Sequence, residues 1–196
     1  MFVRFDLIVL GTLFLDLASC RPAARGGSKT EHHSAIGALT DSILGDLSYP
    51  TQVLPAGRVK LAGGDWESDV LDSLTLRNAS ANLALTAHGE LSGDADDDAV
   101  VVLFTDPAAT GKFFELVPVI ATSAGPRAGH ATLVGDRVRP ESRWVADERA
   151  RLRVVTQDST DGLCCPTRRE LQVYRLVGDS LVLERSELLG HVPPEP

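Results

Sequence analysis

The chain contains little of what several classes of protein require. Its 196 residues include three cysteines, Cys20, Cys164 and Cys165. Three cysteines, two of them adjacent, are too few for a four-cysteine zinc site or a disulfide-rich scaffold. The apolar stretch at residues 7–15 is also short, because a membrane-spanning helix needs about 20 such residues. The cysteine count therefore excludes a four-cysteine zinc module. The apolar stretch is too short to remain in the membrane as a spanning helix.

Positive charge and aromatic side chains are scarce as well. Lys and Arg number 19 against 27 Asp and Glu, a formal net charge of −8, and aromatic residues make up 5%. Proteins that bind nucleic-acid strands use a basic groove and aromatic stacking platforms. We therefore expect no nucleic-acid partner.

The composition that remains is that of a globular protein. Hydrophobic residues make up 43% of the chain and charged residues 23%, which is neither a disordered nor a multi-span membrane composition. A chain of this length suits one or two domains with a hydrophobic core of their own. The pattern along the chain favours one domain, preceded by a targeting segment and a tether.

The first twenty residues, MFVRFDLIVLGTLFLDLASC, have the features of an export signal. A weakly positive start precedes the apolar stretch and small residues. The segment Leu17-Ala18-Ser19-Cys20 resembles the lipobox of bacterial lipoproteins. That resemblance implies a signal peptide at residues 1–19, cleavage before Cys20, and palmitate or similar acyl chains on Cys20 that hold the protein at a membrane. The alternative is an ordinary signal in which Cys20 is incidental.

Residues 20–54 have the composition of a flexible tether that follows the lipidated cysteine. Gly26, Gly27 and Ser28 lie among charged residues, which favours a solvated linker. Apolar residues at near-helical spacing allow one short helix within residues 35–47.

The two-residue period of β-strands dominates residues 55–190. AVVVLF at residues 99–104 is a continuous run, typical of a strand buried on both faces. Gly178-Asp179 suits a hairpin between strands at residues 168–177 and 180–188, and Asn78-Ala79-Ser80 is predicted to be a turn. We expect a mainly β fold, a single antiparallel domain with a tail at residues 191–196; an α+β fold is the alternative.

No catalytic motif stands out in the sequence. It lacks the G-x-S-x-G, H-E-x-x-H and G-x-G-x-x-G patterns. The segment DPAATGKF at residues 106–113 resembles the end of a phosphate-binding loop, yet it lacks the first glycine and precedes a strand pattern. The sequence therefore favours a protein that is not an enzyme.

An acidic loop at residues 90–98 stands directly before the AVVVLF strand. Oxygen ligands at alternate positions suit a hard cation such as calcium, and the loop resembles the D-x-N-G-D-G-x-x-D calcium loops of extracellular repeat proteins. One interpretation is a calcium site; the other is a polar turn without metal, and it is the one favoured. The candidate ligands are Glu90, Ser92, Asp94 and Asp98.

The adjacent pair Cys164-Cys165 permits three interpretations. Neighbouring Cα atoms lie about 3.8 Å apart, less than in most disulfides, so a ring between the two residues is one interpretation. Two buried reduced thiols are the second. A redox site or a cross-link to a partner is the third.

Three blocks of the sequence resemble a domain of uncharacterised secreted and lipid-anchored bacterial proteins: residues 91–116, 133–145 and 160–183. The third block is similar to the C-terminal part of the mycobacterial LppP/LprE-type lipoproteins, where a Cys-Cys-Pro tripeptide precedes a strand with a late aromatic residue. Here these residues are Cys164, Cys165, Pro166 and Tyr174. The resemblance covers roughly residues 54–185 and implies a lipoprotein with an exported β domain. It brings no catalytic residue.

Two functional hypotheses follow from the sequence. The first is a lipid-anchored protein of the bacterial cell envelope that binds a protein or small ligand without catalysis, with no cofactor. The second is an envelope protein that depends on the thiol chemistry of Cys164 and Cys165 or on calcium in the acidic loop.

Overall fold

The computed structural model describes residues 39–194, which contain one short helix and twelve strands. The prediction of a mainly β, antiparallel fold is confirmed. The signal peptide, Cys20 and the tether up to residue 38 lie outside the described residues. The elements are α1 (Asp41–Gly45), β1 (Ser48–Pro50), β2 (Arg58–Lys60), β3 (Asp65–Leu71), β4 (Asn78–Gly89), β5 (Asp98–Asp106), β6 (Phe113–Ile120), β7 (Arg127–Ala128), β8 (Thr132–Asp136), β9 (Arg139–Ala146), β10 (Arg149–Thr156), β11 (Arg168–Val177) and β12 (Ser180–His191).

The strands form three sheets. Six strands make the largest, in the order β3-β4-β5-β6-β7, with β8 also paired to β6. Four strands make the second, in the order β12-β11-β10-β9, and β1 pairs with β2 in the third. Every pairing between these strands is antiparallel, as hairpin-rich chains favour. Within residues 39–194 no helix has the length and apolar character needed to cross a membrane.

Strand β5 separates two hydrophobic clusters. Val101 and Leu103 pack in one cluster with side chains of the N-terminal segment, including Tyr49. Val100 and Val102 pack in the other cluster with side chains of the four-stranded sheet. The six-stranded sheet is therefore covered on both faces, and the prediction of a doubly buried strand at AVVVLF is confirmed.

The predicted tether extends too far into the chain, because residues 39–54 belong to the fold. Leu39, Leu44, Tyr49 and Leu54 are buried in the first cluster. The Tyr49 hydroxyl donates to the Leu44 carbonyl at 2.7 Å. These apolar residues cover the six-stranded sheet, which a solvated linker would leave exposed. The helix predicted within residues 35–47 is present in the described residues as the five-residue α1.

Two further boundaries differ from the prediction. Asn78-Ala79-Ser80 is not a turn but the start of β4, and the turn lies at residues 72–77. There the Asp72 carboxylate accepts from the amides of Leu74 and Thr75, at 3.0 and 2.8 Å, which stabilises the turn locally. The predicted tail begins one residue early, because His191 is the last residue of β12. The hairpin turn at Gly178-Asp179 is confirmed.

Candidate functional site: the Cys164–Cys165 loop

The loop between β10 and β11 carries the adjacent cysteines as a disulfide. Cys164 and Cys165 are bonded to each other, with their Cα atoms 3.7 Å apart. The Cys165 amide donates to the Gly162 carbonyl at 3.0 Å, which closes a turn around the pair. Cys164 is exposed. Of the three sequence interpretations, the ring is present, and the pair of buried reduced thiols is wrong.

Asp161 organises the base of this loop. Its carboxylate accepts hydrogen bonds from the Asp158 amide at 2.8 Å, the Thr167 amide at 2.7 Å and the Thr167 hydroxyl at 2.9 Å. The bond from the Asp158 amide is the main cause that lowers the pKa of Asp161, and the Thr167 bonds add to it. One carboxylate thus joins both sides of the loop.

The loop is also joined to the end of β12. The Asp158 carboxylate lies 2.6 Å from Nε2 of His191, and this hydrogen bond is the largest cause of the lowered pKa of Asp158. The next residue, Val192, donates its amide to the Thr167 carbonyl at 2.8 Å. Sequence reasoning placed His191 in a tail and missed this contact, because the two partners are 33 residues apart.

The tip of the loop is apolar and accessible. The Leu163 side chain is 76% exposed and precedes the disulfide directly. The Gln157 side-chain amide donates to the Leu163 carbonyl at 3.2 Å, which helps to position the tip. This arrangement can do two things: contact an apolar surface of a partner, or expose the disulfide to exchange with a thiol.

Behind the loop, the inner face of β11 carries a chain of buried polar side chains. The Tyr174 hydroxyl donates to Gln172 at 2.6 Å, and the Gln172 amide donates to Glu170 at 3.2 Å. Glu170 also accepts from Ser186 at 2.6 Å and pairs with Arg168. Burial raises the pKa of Glu170, but its hydrogen bonds outweigh that effect, so the pKa lies below its usual value. Because its acceptors are satisfied, this chain is a structural network.

The acidic loop at residues 90–98 is a self-bonded turn. Asp98 is fully buried and accepts from the amides of Leu91, Ser92 and Ala121, at 3.1, 3.0 and 3.0 Å. Glu90 accepts from the Gly93 amide at 2.7 Å and the Ser92 hydroxyl at 3.2 Å. These carboxylates hold the backbone that leads into β5.

Of the four predicted calcium ligands, Ser92 contacts both Glu90 and Asp98, whereas Asp94 has no hydrogen bond to the other three within the described residues. Asp94 accepts from the Asp96 amide at 3.0 Å on the exposed side of the loop, whereas Asp98 faces the interior. Across residues 39–194 no group of three or more His, Cys, Asp or Glu side chains is arranged to hold a metal ion. The carboxylates of this loop therefore accept from main-chain amides, and the two interpretations of the loop, a polar turn and a calcium site, both stay predictions.

A second feature that sequence reasoning missed lies beside β1. Glu115, fully buried on β6, accepts from the Thr51 hydroxyl at 2.6 Å and the Gln52 amide at 2.7 Å. Gln52 also lines a mostly apolar cavity of about 420 Å³, together with Val53, Pro107, Ala109, Thr110, Gly111, Phe113 and Leu133. The only sequence signal for this buried contact was a single Glu within the otherwise apolar run FFELVPVI.

Residues of the DPAATGKF segment line this cavity. The segment does not have the structure of a phosphate-binding loop. It leads into β6, a strand, as the sequence indicated. Asp106 is almost fully buried and pairs with both Arg77 and Lys112. Burial lowers the pKa of Lys112, and the nearby Arg77 and Arg137 lower it further. Lys112 therefore serves as a partner of Asp106.

The sequence-predicted residues occupy separate places in the fold. The acidic loop joins β4 to β5 in the six-stranded sheet, and the cysteine loop joins β10 to β11 in the four-stranded sheet. No hydrogen bond or ion pair within the described chain connects the two loops. His88 contacts Asp41 at 3.2 Å, away from both cysteines. The two candidate sites are therefore independent.

Comparison with known proteins gave no relative. No protein-family model, no curated protein and no solved structure matches the chain significantly.

Proposed function

We propose that the protein is an exported bacterial lipoprotein whose β domain acts as a non-enzymatic binding or structural module of the cell envelope. The observation that carries this proposal is the segment Leu17-Ala18-Ser19-Cys20 directly after a short apolar stretch. Small residues before a cysteine at this distance from the start are typical of a lipidated export signal. Several acyl chains on Cys20 would give durable membrane attachment.

The extent of the fold is compatible with such an anchor. The described residues begin at residue 39, and residues 21–38 separate Cys20 from them. A chain of that length spans at most about 65 Å when fully extended. The anchor would therefore keep the domain within that distance of the membrane.

The cysteine pair agrees with export. Disulfides persist in oxidising compartments and are rare in the cytosol, and Cys164–Cys165 is bonded in the structure. The apolar loop tip at Leu163 then offers a contact surface to an envelope protein.

Metabolic labelling with an alkyne analogue of palmitate tests the proposed anchor. The wild-type chain, expressed in a bacterium with lipoprotein processing, should carry the label and fractionate with membranes. Cys20→Ser should lose the label and leave the membrane fraction. The matched control, Cys164→Ser with Cys165→Ser, should keep the label, because these residues lie within the folded domain. An unlabelled wild-type protein would contradict the proposal.

A second candidate function, thiol–disulfide exchange, is favoured by the exposure of Cys164. Alkylation of the non-reduced protein followed by mass spectrometry should leave Cys164 and Cys165 unmodified, and mild reduction should make both reactive. Replacing both residues with serine tests this second function in cells. If the oxidation of exported thiols is then unchanged, thiol–disulfide exchange is excluded, and the proposal of a lipid-anchored module is unaffected.

A further inference from the structure

Positive charge is concentrated in one half of the described chain. Residues 39–136 hold five Lys and Arg against fourteen Asp and Glu, whereas residues 137–194 hold ten arginines against nine acidic residues. The second half contains the whole four-stranded sheet. The arginines therefore belong mainly to one sheet of an otherwise acidic protein.

Five of these arginines lie on the outer face of that sheet. Strands β10 and β11 pair in unbroken register, so alternate residues share a face. Ala150, Leu152 and Val154 point into the core, which places their neighbours outward. The strand pairing aligns the following residues on this arginine face: Arg149, Arg151 and Arg153 of β10, Arg175 and Val173 of β11, Arg185 of β12 and Trp144 of β9.

Part of this charge is not neutralised within the protein. Arg149 pairs with Glu184 at 2.8 Å, and Arg151 pairs with Asp147 at 3.0 Å. Arg153, Arg175 and Arg185 are exposed, and none of the three has an ion pair within residues 39–194. Glu187 lies on the same face, opposite Leu171, so the unpaired guanidinium groups exceed the unpaired carboxylate and produce a local positive potential that attracts anions.

The arginine face also has an apolar component. Val173 points outward and yet is 3% exposed, because it forms the floor of a depression walled by Asp147, Arg149, Arg151, Glu184 and Arg185. Trp144 lies directly across the strand pairing from Arg151, and Val182 is exposed beside Arg175. Guanidinium groups with tryptophan and aliphatic residues form the combination found at membrane interfaces.

We infer that the arginine face docks on the surface of an anionic phospholipid membrane, with guanidinium groups on the lipid phosphates and Trp144 at the headgroup level. Arginine binds phosphate through its planar fork of donors, and a sheet face presents several of them at once to a flat surface. The inference rests on the proposed lipid anchor, which would keep a membrane within reach of the domain.

Vesicle binding tests this surface without the lipid anchor. The chain from residue 20 with Cys20→Ser contains both clusters of the described core and carries no acyl group. It should bind vesicles of phosphatidylglycerol and phosphatidylcholine at least ten-fold more tightly than vesicles of phosphatidylcholine alone. Arg175→Gln with Arg185→Gln should lose about ten-fold of that affinity. The matched pair Arg58→Gln with Lys60→Gln, which removes the same charge from the acidic half, should change it little.

A fluorescence measurement shows which face makes contact. The chain has two tryptophans, so Trp66→Phe leaves Trp144 as the only reporter. Brominated lipids in the vesicles should quench its fluorescence, and raised salt should abolish the quenching because salt screens the charges. Equal binding to both vesicle types, unchanged binding by the arginine variant, displacement by millimolar inorganic phosphate, or binding without quenching would each overturn the inference. Failure of the lipid anchor would show only in the labelling of Cys20, so the two outcomes are distinguishable.

Discussion

Buried and half-buried carboxylates act in this protein as acceptors for main-chain amides. Asp98 holds the turn before β5 and Asp161 holds the cysteine loop, each through several hydrogen bonds. In both cases the loop shape depends on an acidic side chain that a sequence pattern alone would assign to metal binding or to solvent.

Asp98→Ala should destabilise the fold markedly. The substitution leaves the amides of Leu91, Ser92 and Ala121 without their acceptor, and a lost hydrogen bond to a charged group costs about 1.5–3 kcal/mol. We expect the free energy of unfolding, measured by urea denaturation, to fall by about 3 kcal/mol with or without calcium. Asp94→Ala, at an exposed position of the same loop, should change it by less than about 0.5 kcal/mol. Stabilisation of the wild type by millimolar calcium would favour the calcium site over the polar turn.

The cysteine loop should weaken in acid. The pKa values of Asp158 and Asp161 lie below the ordinary value of 3.8, so their contribution to stability is complete above that value and is lost as pH falls through the lowered values. Urea denaturation should therefore show a constant free energy of unfolding from pH 6 to 5 and a decrease below about pH 4.

A variant identifies the source of this pH dependence. Asp161→Asn should reduce the decrease below pH 4, because the titrating group is removed. Asp97→Asn, at an exposed position without a hydrogen bond in the described structure, should leave it as in the wild type. An identical pH profile for wild type and Asp161→Asn would show that this carboxylate does not contribute.

At the scale of elements, locally determined features could be predicted from the sequence. The β-branched run of β5 and the Gly178-Asp179 turn of the β11–β12 hairpin depend on adjacent residues, and both are present as expected. The N-terminal segment could not be assigned in this way. It is folded because Tyr49 and its neighbours pack against Val101 and Leu103 of β5, which come far later in the sequence.

The candidate site likewise combines a contact between adjacent residues, which the sequence could suggest, with contacts between distant residues, which it could not. The pairing of Cys164 with Cys165 was one of three sequence interpretations, because adjacency leaves them few alternatives. The contacts that hold their loop were not foreseeable, since His191 reaches Asp158 from the far end of β12. Likewise, Glu115 meets Thr51 across 64 residues of sequence.

The junction between β7 and β8 meets the β11–β12 turn at a close approach. Gly129 donates to the Pro118 carbonyl, and His130 donates to the Asp179 carbonyl at 2.6 Å. A Cβ atom on Gly129 would lie 2.3 Å from the Asp179 oxygen, closer than backbone atoms can approach.

Gly129→Ala should therefore separate these two elements. We expect a loss of about 2 kcal/mol in the free energy of unfolding, measured by thermal or urea denaturation. Gly162→Ala is the matched control, because its nearest contact is the Cys164 sulfur at an ordinary 3.7 Å. A Gly129→Ala protein as stable as that control would contradict the described contact.

At the scale of the whole molecule, β5 belongs to both hydrophobic clusters and should couple the two halves of the domain. Trp66 packs against the first cluster, whereas Trp144 lies on the four-stranded sheet. Variants that retain one tryptophan each, Trp66→Phe and Trp144→Phe, should unfold in urea with the same midpoint as circular dichroism reports. Clearly separated midpoints for the two tryptophans would show that the halves unfold independently.

We propose that residues 1–19 direct export and that Cys20 carries the lipid. Mass spectrometry of the N-terminal peptide from protein purified out of bacterial membranes tests it most directly. We expect a peptide that begins at Cys20 and exceeds its amino-acid mass by that of a lipid modification, while Cys164 and Cys165 remain joined to each other. A peptide that begins elsewhere, or an unmodified Cys20, would contradict it.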